Sequence, residues 1–160
     1  MKKKGFILIE LLVVIAIIGL LAILVVVALN SFRAKERDSR RVSDIKQVQN
    51  ALVIYINEQN TYPAVAAPLT LGTAGISSTL SSGAGFAGTA SGTVYMTLVP
   101  SNPTPGGADY IYTSLAADGA AACTASPCPK YKITFTLENV IPSLGTGKSC
   151  TATQDGTTCS

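Results

Sequence analysis

The sequence predicts an α+β protein in which one long N-terminal helix, apolar in its first half and amphipathic in its second, packs on a small antiparallel β-sheet head. Three observations carry that expectation. An uncharged run from Leu11 to Leu29 is long enough to cross a bilayer, an apolar stripe with helical spacing follows between Ile45 and Ile56, and strand-like alternation is confined to the region after Val94. The organisation reads as a leader over 1–5, a transmembrane helix over 6–30, an amphipathic helical stem over 31–60 and a β head over 61–160. That head holds an Ala/Gly/Ser/Thr-rich loop and a cysteine-containing C-terminal region.

The apolar segment GFILIELLVVIAIIGLLAILVVVAL, from Gly5 to Leu29, contains one carboxylate, Glu10. Nineteen uncharged residues from Leu11 onward make about 28 Å of helix, close to the roughly 30 Å hydrocarbon core of a membrane. An ionised Glu10 lying deep in that core would cost about 2.5–3.5 kcal/mol, so a cation is expected to pair with it unless it snorkels to the interface. Gly19 suits close packing between helices or is a tolerated glycine without a role.

Ahead of the run stands a short lysine-rich leader, Met1 to Gly5. An ordinary secretory signal has a shorter apolar core of about 7–15 residues with a small-residue cleavage site behind it. Here the run is longer and SFRAKERDSRR follows it, so the segment is expected to be retained; a plain single-pass anchor is the bland alternative.

The pattern KKKG, then FILIE with Glu10 four residues after Phe6, then an unbroken aliphatic helix, resembles the N-terminal signal of type IV pilins and type II secretion pseudopilins. The resemblance implies a prepilin peptidase that cuts after Gly5 and methylates the new N-terminus at Phe6, with Glu10 as the acidic assembly position. The new amine at Phe6 and the carboxylate of Glu10 lie about one helical turn apart, so either the chain's own amine or a neighbour's neutralises the acid. Many members of the family carry a helix-kinking proline late in the apolar run. This chain has VVVALN there, which predicts a straighter anchor.

Orientation is set by two opposing signals. Three leader lysines are outnumbered by Arg33, Lys35, Arg37, Arg40, Arg41 and Lys46 beyond the run, and a bare positive-inside count puts the head in the cytoplasm. The cysteines and the leader pattern put it outside, and they take precedence because charges in a folded helix do not behave like those of a short loop.

In the stem, Ile45, Val48, Leu52, Tyr55 and Ile56 recur at steps of three and four and are expected to face a sheet, while Arg40, Arg41, Asp44, Lys46 and Gln47 cover other faces. The mixed-charge run RAKERDSRR reads as a solvated helical collar with Glu36 and Arg40 paired at i,i+4; a subunit or lipid-headgroup contact is the sharper alternative. Asn60 and Pro63 end the helix near Gln59.

The stretch from Ala64 to Thr93 reads as a surface loop with short strand fragments, too poor in large side chains to make a core of its own. It holds no N-glycosylation site, leaving O-linkage to its hydroxyls open. Strands are expected over Val94–Val99, Tyr110–Leu115 and Tyr131–Glu138. The last is the clearest, with Tyr131, Ile133, Phe135 and Leu137 pointing one way.

Four cysteines, Cys123, Cys128, Cys150 and Cys159, sit in the last quarter, where an even number beyond a membrane segment points to two disulfides and an oxidising compartment. Three pairings are possible, and proximity in sequence favours Cys123–Cys128 with Cys150–Cys159. Free thiols or a four-thiolate zinc site are the alternatives, the latter without any CxxC spacing to support it.

Composition excludes several functions. With no His, no P-loop and no dinucleotide fingerprint, the chain is not expected to be an enzyme or to hold a cofactor. Twelve basic residues oppose nine acidic ones. Loss of the leader's three lysines leaves the two balanced, so no direct nucleic-acid site is evident. Asp109, Asp118 and Asp155 sit near glycines and read as turn residues; calcium, which the resemblance implies for secretion pseudopilins of the major type, finds no spaced acidic loop here.

The resemblance implies a structural subunit of a type IV pilus-like filament, or alternatively a pseudopilin of a type II secretion system. A non-polymerising surface binding protein is the reading from another class. The implied partners are further copies or other pilins, the prepilin peptidase, an assembly platform with its ATPase, and membrane lipid. The implied location is the inner membrane before assembly, with the head outside the cytoplasm, and a surface filament or periplasmic pseudopilus afterwards.

Overall fold

A computed structural model describes residues 4–160, without the side chains of residues 4–7, 27 and 28. The expected leader therefore lies largely outside the described residues. One helix, α1, spans Lys4–Gln59, and the chain divides into two compact units, Met1–Glu36 and Arg37–Ser160.

In the first unit α1 is the only element described. Its large aliphatic side chains from Leu8 to Val26 are 46–67% exposed, because no other element of that unit covers them. Among the described residues this is the one helix long and apolar enough to cross a membrane.

In the second unit the rest of α1 lies against eight strands. They are β1 (Leu69–Thr70), β2 (Thr79–Ser81), β3 (Gly85–Ala87), β4 (Val94–Met96), β5 (Ile111–Leu115), β6 (Lys130–Thr136), β7 (Ser149–Thr153) and β8 (Gly156–Cys159). A five-stranded sheet has the order β1-β5-β6-β7-β8, and a three-stranded sheet the order β3-β2-β4; every pairing is antiparallel. This is an α+β, pilin-like architecture.

Period-two alternation makes β6 a half-buried strand: Tyr131, Ile133 and Phe135 are buried while Lys132 and Thr134 lie nearer solvent. They join Ile45, Val48, Leu52 and Tyr55 of α1, Tyr110 and Tyr112 of the β5 region, and Ala152 of β7 in one core. Aromatic edges lock this core. Tyr62 meets Tyr131 with ring centroids 4.7 Å apart, and Phe86 meets Tyr112 at 4.8 Å. Buried Tyr112 still satisfies its hydroxyl, which donates to the carbonyl of Pro63. At the helix end Asn60 takes φ 56° while its amide donates to Ile56 O, a left-handed cap that asparagine tolerates.

Three expectations change. The stretch from Ala64 to Thr93 is not a coreless loop, since Leu71, Leu80 and Phe86 are buried in the common core and β2 and β3 build most of the second sheet. The tail forms the hairpin β7–β8, although its Ser/Thr/Gly composition carries no strand-like apolar alternation. The charge run is not a solvated collar. Asp38 and Arg41 are buried, Asp44 nearly so, and Glu36 and Arg40 do not pair among the described residues, where Arg37 and Arg41 supply the ion pairs.

Candidate functional site

Two groups of residues define what this chain can do: the uncovered apolar surface of α1 with its single acid, and the polar lock that holds the head on α1. The first starts at Gly5 and Phe6, whose backbone is helical; the Phe6 side chain lies outside the described residues. Glu10 follows one turn later, exposed, among exposed Leu8, Ile9, Leu11 and Leu12. A carboxylate on an apolar helical surface is stable in a membrane or a bundle only with a cation or donor beside it.

The second group was hidden from sequence reasoning. Asp38 and Arg41 extend the apolar stripe of α1 at the same steps, 38, 41, 45, 48, 52, 55, and so face the sheet as its other members do. Arg41 is 0% exposed and every one of its five N–H groups is used. Nε donates to Asn102 Oδ1 at 2.8 Å, one terminal nitrogen to Asp38 Oδ1 and Glu138 Oε1, both at 2.8 Å, and the other to the carbonyls of Pro103 and Gly106. Asp38 in turn accepts the amides of Glu138 and Asn139 and the side-chain amide of Asn139. Arg37 forks onto Glu138 at 2.7 and 2.6 Å.

The lock joins α1 to the 102–107 loop and to the turn after β6, and no buried side-chain polar atom among the described residues is left without a partner. The bidentate hydrogen bonds from Arg37, helped by Arg41, lower the Glu138 carboxyl to about 2. Asp44 moves the other way, raised by burial, although the hydroxyl of Tyr110 donates to it at 3.3 Å. Burial also pushes Tyr131 up to about 12. The arrangement fixes position and offers no nucleophile–base pair.

Cys123 joins Cys128, and Cys150 joins Cys159, leaving no free cysteine. The second bridge links directly opposed positions of β7 and β8. Asp118 accepts the amides of Ala120 and Ala121, as a turn aspartate does, and these lower its pKa. Among the described residues no three His, Cys, Asp or Glu side chains gather as metal ligands.

Comparison with known proteins bears on the chain's kinship. Over 62 residues it is 44% identical to type II secretion system core protein G of Aeromonas hydrophila and 45% identical to that of Escherichia coli K12. Each match covers 39% of this chain and 43% of the relative. That segment belongs to the type IV pilin and pseudopilin family. A third relative, core protein G of Pectobacterium carotovorum, is 41% identical over 63 residues, 40% of its length. The chain thus spans less than half the length of the relatives it matches. No family model matches, and no solved structure gives a significant match. The relatives named here are secretion-system proteins, which favours the secretion pseudopilin over the pilus subunit that the resemblance put first.

Proposed function

We propose that this chain is a structural pseudopilin, a subunit that a type II secretion machine draws from the membrane and polymerises through α1. The observation that carries the reading is the apolar surface from Leu8 to Val26, uncovered within its own unit and interrupted on its N-terminal side by Glu10. Such a surface is satisfied either by lipid or by the same helix of neighbouring copies, and exchange between the two is the elementary step of assembly. Heterologous packing of one kind of helix gives an open filament.

Cleavage after Gly5 frees an amine at Phe6, which is methylated and pairs with Glu10 of a neighbour, fixing the axial register. The prepilin peptidase, the assembly platform and its ATPase are the partners this requires. The head stands outside the cytoplasm, where its disulfides are stable. Its role is structural and not catalytic.

The test is to express the full chain in a bacterium with a type II secretion system and determine the mature N-terminus by mass spectrometry while imaging sheared fibres. The reading predicts methylated Phe6 and short or overexpression-dependent fibres. An intact Met1 refutes it in favour of a single-pass anchor, and abundant long surface filaments made without the secretion genes would return it to a pilus subunit.

A further inference from the structure

Leu98 is 76% exposed, more than any other exposed large hydrophobic residue described, those of the apolar span included. It is not a frayed loop residue. The adjacent Val99 is buried, and its amide donates to Ser78 O at 2.8 Å, so the backbone is pinned and Leu98 is aimed outward. Beside it, on the rim of the same recess, stands Arg40. Arg40 is exposed and enters no ion pair among the described residues.

The outward face of the five-stranded sheet carries a counterpart. Ile133 and Phe135 of β6 point into the core, so Thr134 and Thr136, with Ile111 and Thr151 opposed across β5 and β7, form the surface turned away from α1. Here a recess of about 200 Å³ opens among Ala108, Ile111, Thr134, Thr136 and Thr151, with Asp109 on its rim. The recess is roomy enough for a branched aliphatic side chain, and Asp109 is exposed and unpaired among the described residues. One surface thus offers an aliphatic knob beside a cation, and another surface of the same head offers a weakly polar hole beside an anion.

We propose that the head carries its own polymer contact, in which Leu98 of one copy enters the Ile111–Thr134–Thr151 recess of the next while Arg40 pairs with Asp109. The partner is a second copy of this chain, since shape and charge are complementary between two patches that share no residue. A contact between two different patches repeats without closing, as the polymerisation described above requires, and the inference rests on that reading. It gives the heads a specificity that aliphatic helix packing alone lacks, because a head without the matching acid or recess is rejected.

The test uses fibres of the full chain carrying a photoreactive benzophenone side chain at position 98. Irradiation is expected to give cross-linked dimers whose mapped peptide spans the β5 or β6 segments. Cross-links elsewhere, or none in fibres, overturn the contact. Independently, Arg40→Asp and Asp109→Arg are each expected to lower sedimentable polymer about tenfold, and the double reversal to restore it. All these positions are exposed, so near-ultraviolet circular dichroism of the tyrosine core should stay unchanged. Unaffected single variants, or a double variant no better than either single, overturn the contact while leaving assembly through α1 intact. Failure of the unmodified chain to form any fibre removes the polymer reading and this contact together.

Discussion

Replacing Arg41 by alanine tests the polar lock most directly. The substitution removes five N–H donors from a site with no solvent exposure, but its partners are not equally harmed. Asp38 keeps the amides of Glu138 and Asn139 and the Asn139 side chain, and Glu138 keeps Arg37. The carbonyls of Pro103 and Gly106 lose the guanidinium, although Asn102 Nδ2 still reaches Gly106 O at 3.0 Å. Breaking a buried ion pair costs about 3–5 kcal/mol, and the surviving donors place this case near the lower end, at about 3 kcal/mol. The half-exposed fork of Arg37, with side chains 21% and 23% exposed, supplies a control: Arg37→Ala should cost about 1 kcal/mol. With a urea slope of about 1–3 kcal/mol per molar, the midpoint should fall by about 1–3 M for Arg41→Ala and well under 1 M for Arg37→Ala. Urea titration of the full chain in detergent micelles, followed by near-ultraviolet circular dichroism of the tyrosines, reads this. Equal losses from the two variants, or a loss below about 1 kcal/mol from Arg41→Ala, would refute the burial argument.

Acid should loosen the same lock. Glu138 has a folded pKa of about 2, below its ordinary value, so its stabilisation is complete above the ordinary carboxylate range and is lost as pH falls toward 2. Asp44, raised by burial, opposes this. In Glu138→Gln the acid transition measured by circular dichroism should flatten; an unchanged profile would assign acid sensitivity elsewhere. Gly107 takes φ 79° and a Cβ there would lie 2.9 Å from Arg41 Nε, so Gly107→Ala should destabilise the head by about 1–3 kcal/mol in the same titration. Glu10→Ala should insert and be cleaved yet yield little fibre, and a normal yield of sheared fibre would overturn its pairing role.

Much of the architecture is legible in the residues themselves. Ile45, Val48, Leu52 and Tyr55 announce a helix face by spacing, and YKITF announces β6 by alternation, because in both the buried positions are large and apolar. The tail is not legible that way. In β7 and β8 the inward positions are Cys150, Ala152 and Cys159, too small or too ambiguous to register as a core face, and the register is fixed by pairing with β6 that lies far away in sequence. Leu71, Leu80 and Phe86 are spread too thinly through the Ala64–Thr93 stretch to announce a sheet. Asp38 and Arg41 mislead for a different reason: their chemistry argues for solvent, while their spacing continues the buried stripe. Position outranked polarity because Glu138, Asn139 and the 102–107 loop supply partners that no local window contains. The Gly5, Phe6 and Glu10 pattern could be read at once, since it depends on neighbours within a turn.

The two disulfides close loops with sequence separations of 5 and 9, and this locality has a mechanical meaning. Neither bridge ties α1 to the sheet. Load applied along the helix from Arg37 onward therefore reaches the strands only through non-covalent links: the apolar stripe, the Tyr112 hydroxyl on Pro63, and the guanidinium of Arg41. Oxidation stiffens the far edge of the head without fastening it to its shaft. The strength of that junction is consequently a quantity that point substitutions can tune while both covalent crosslinks remain in place.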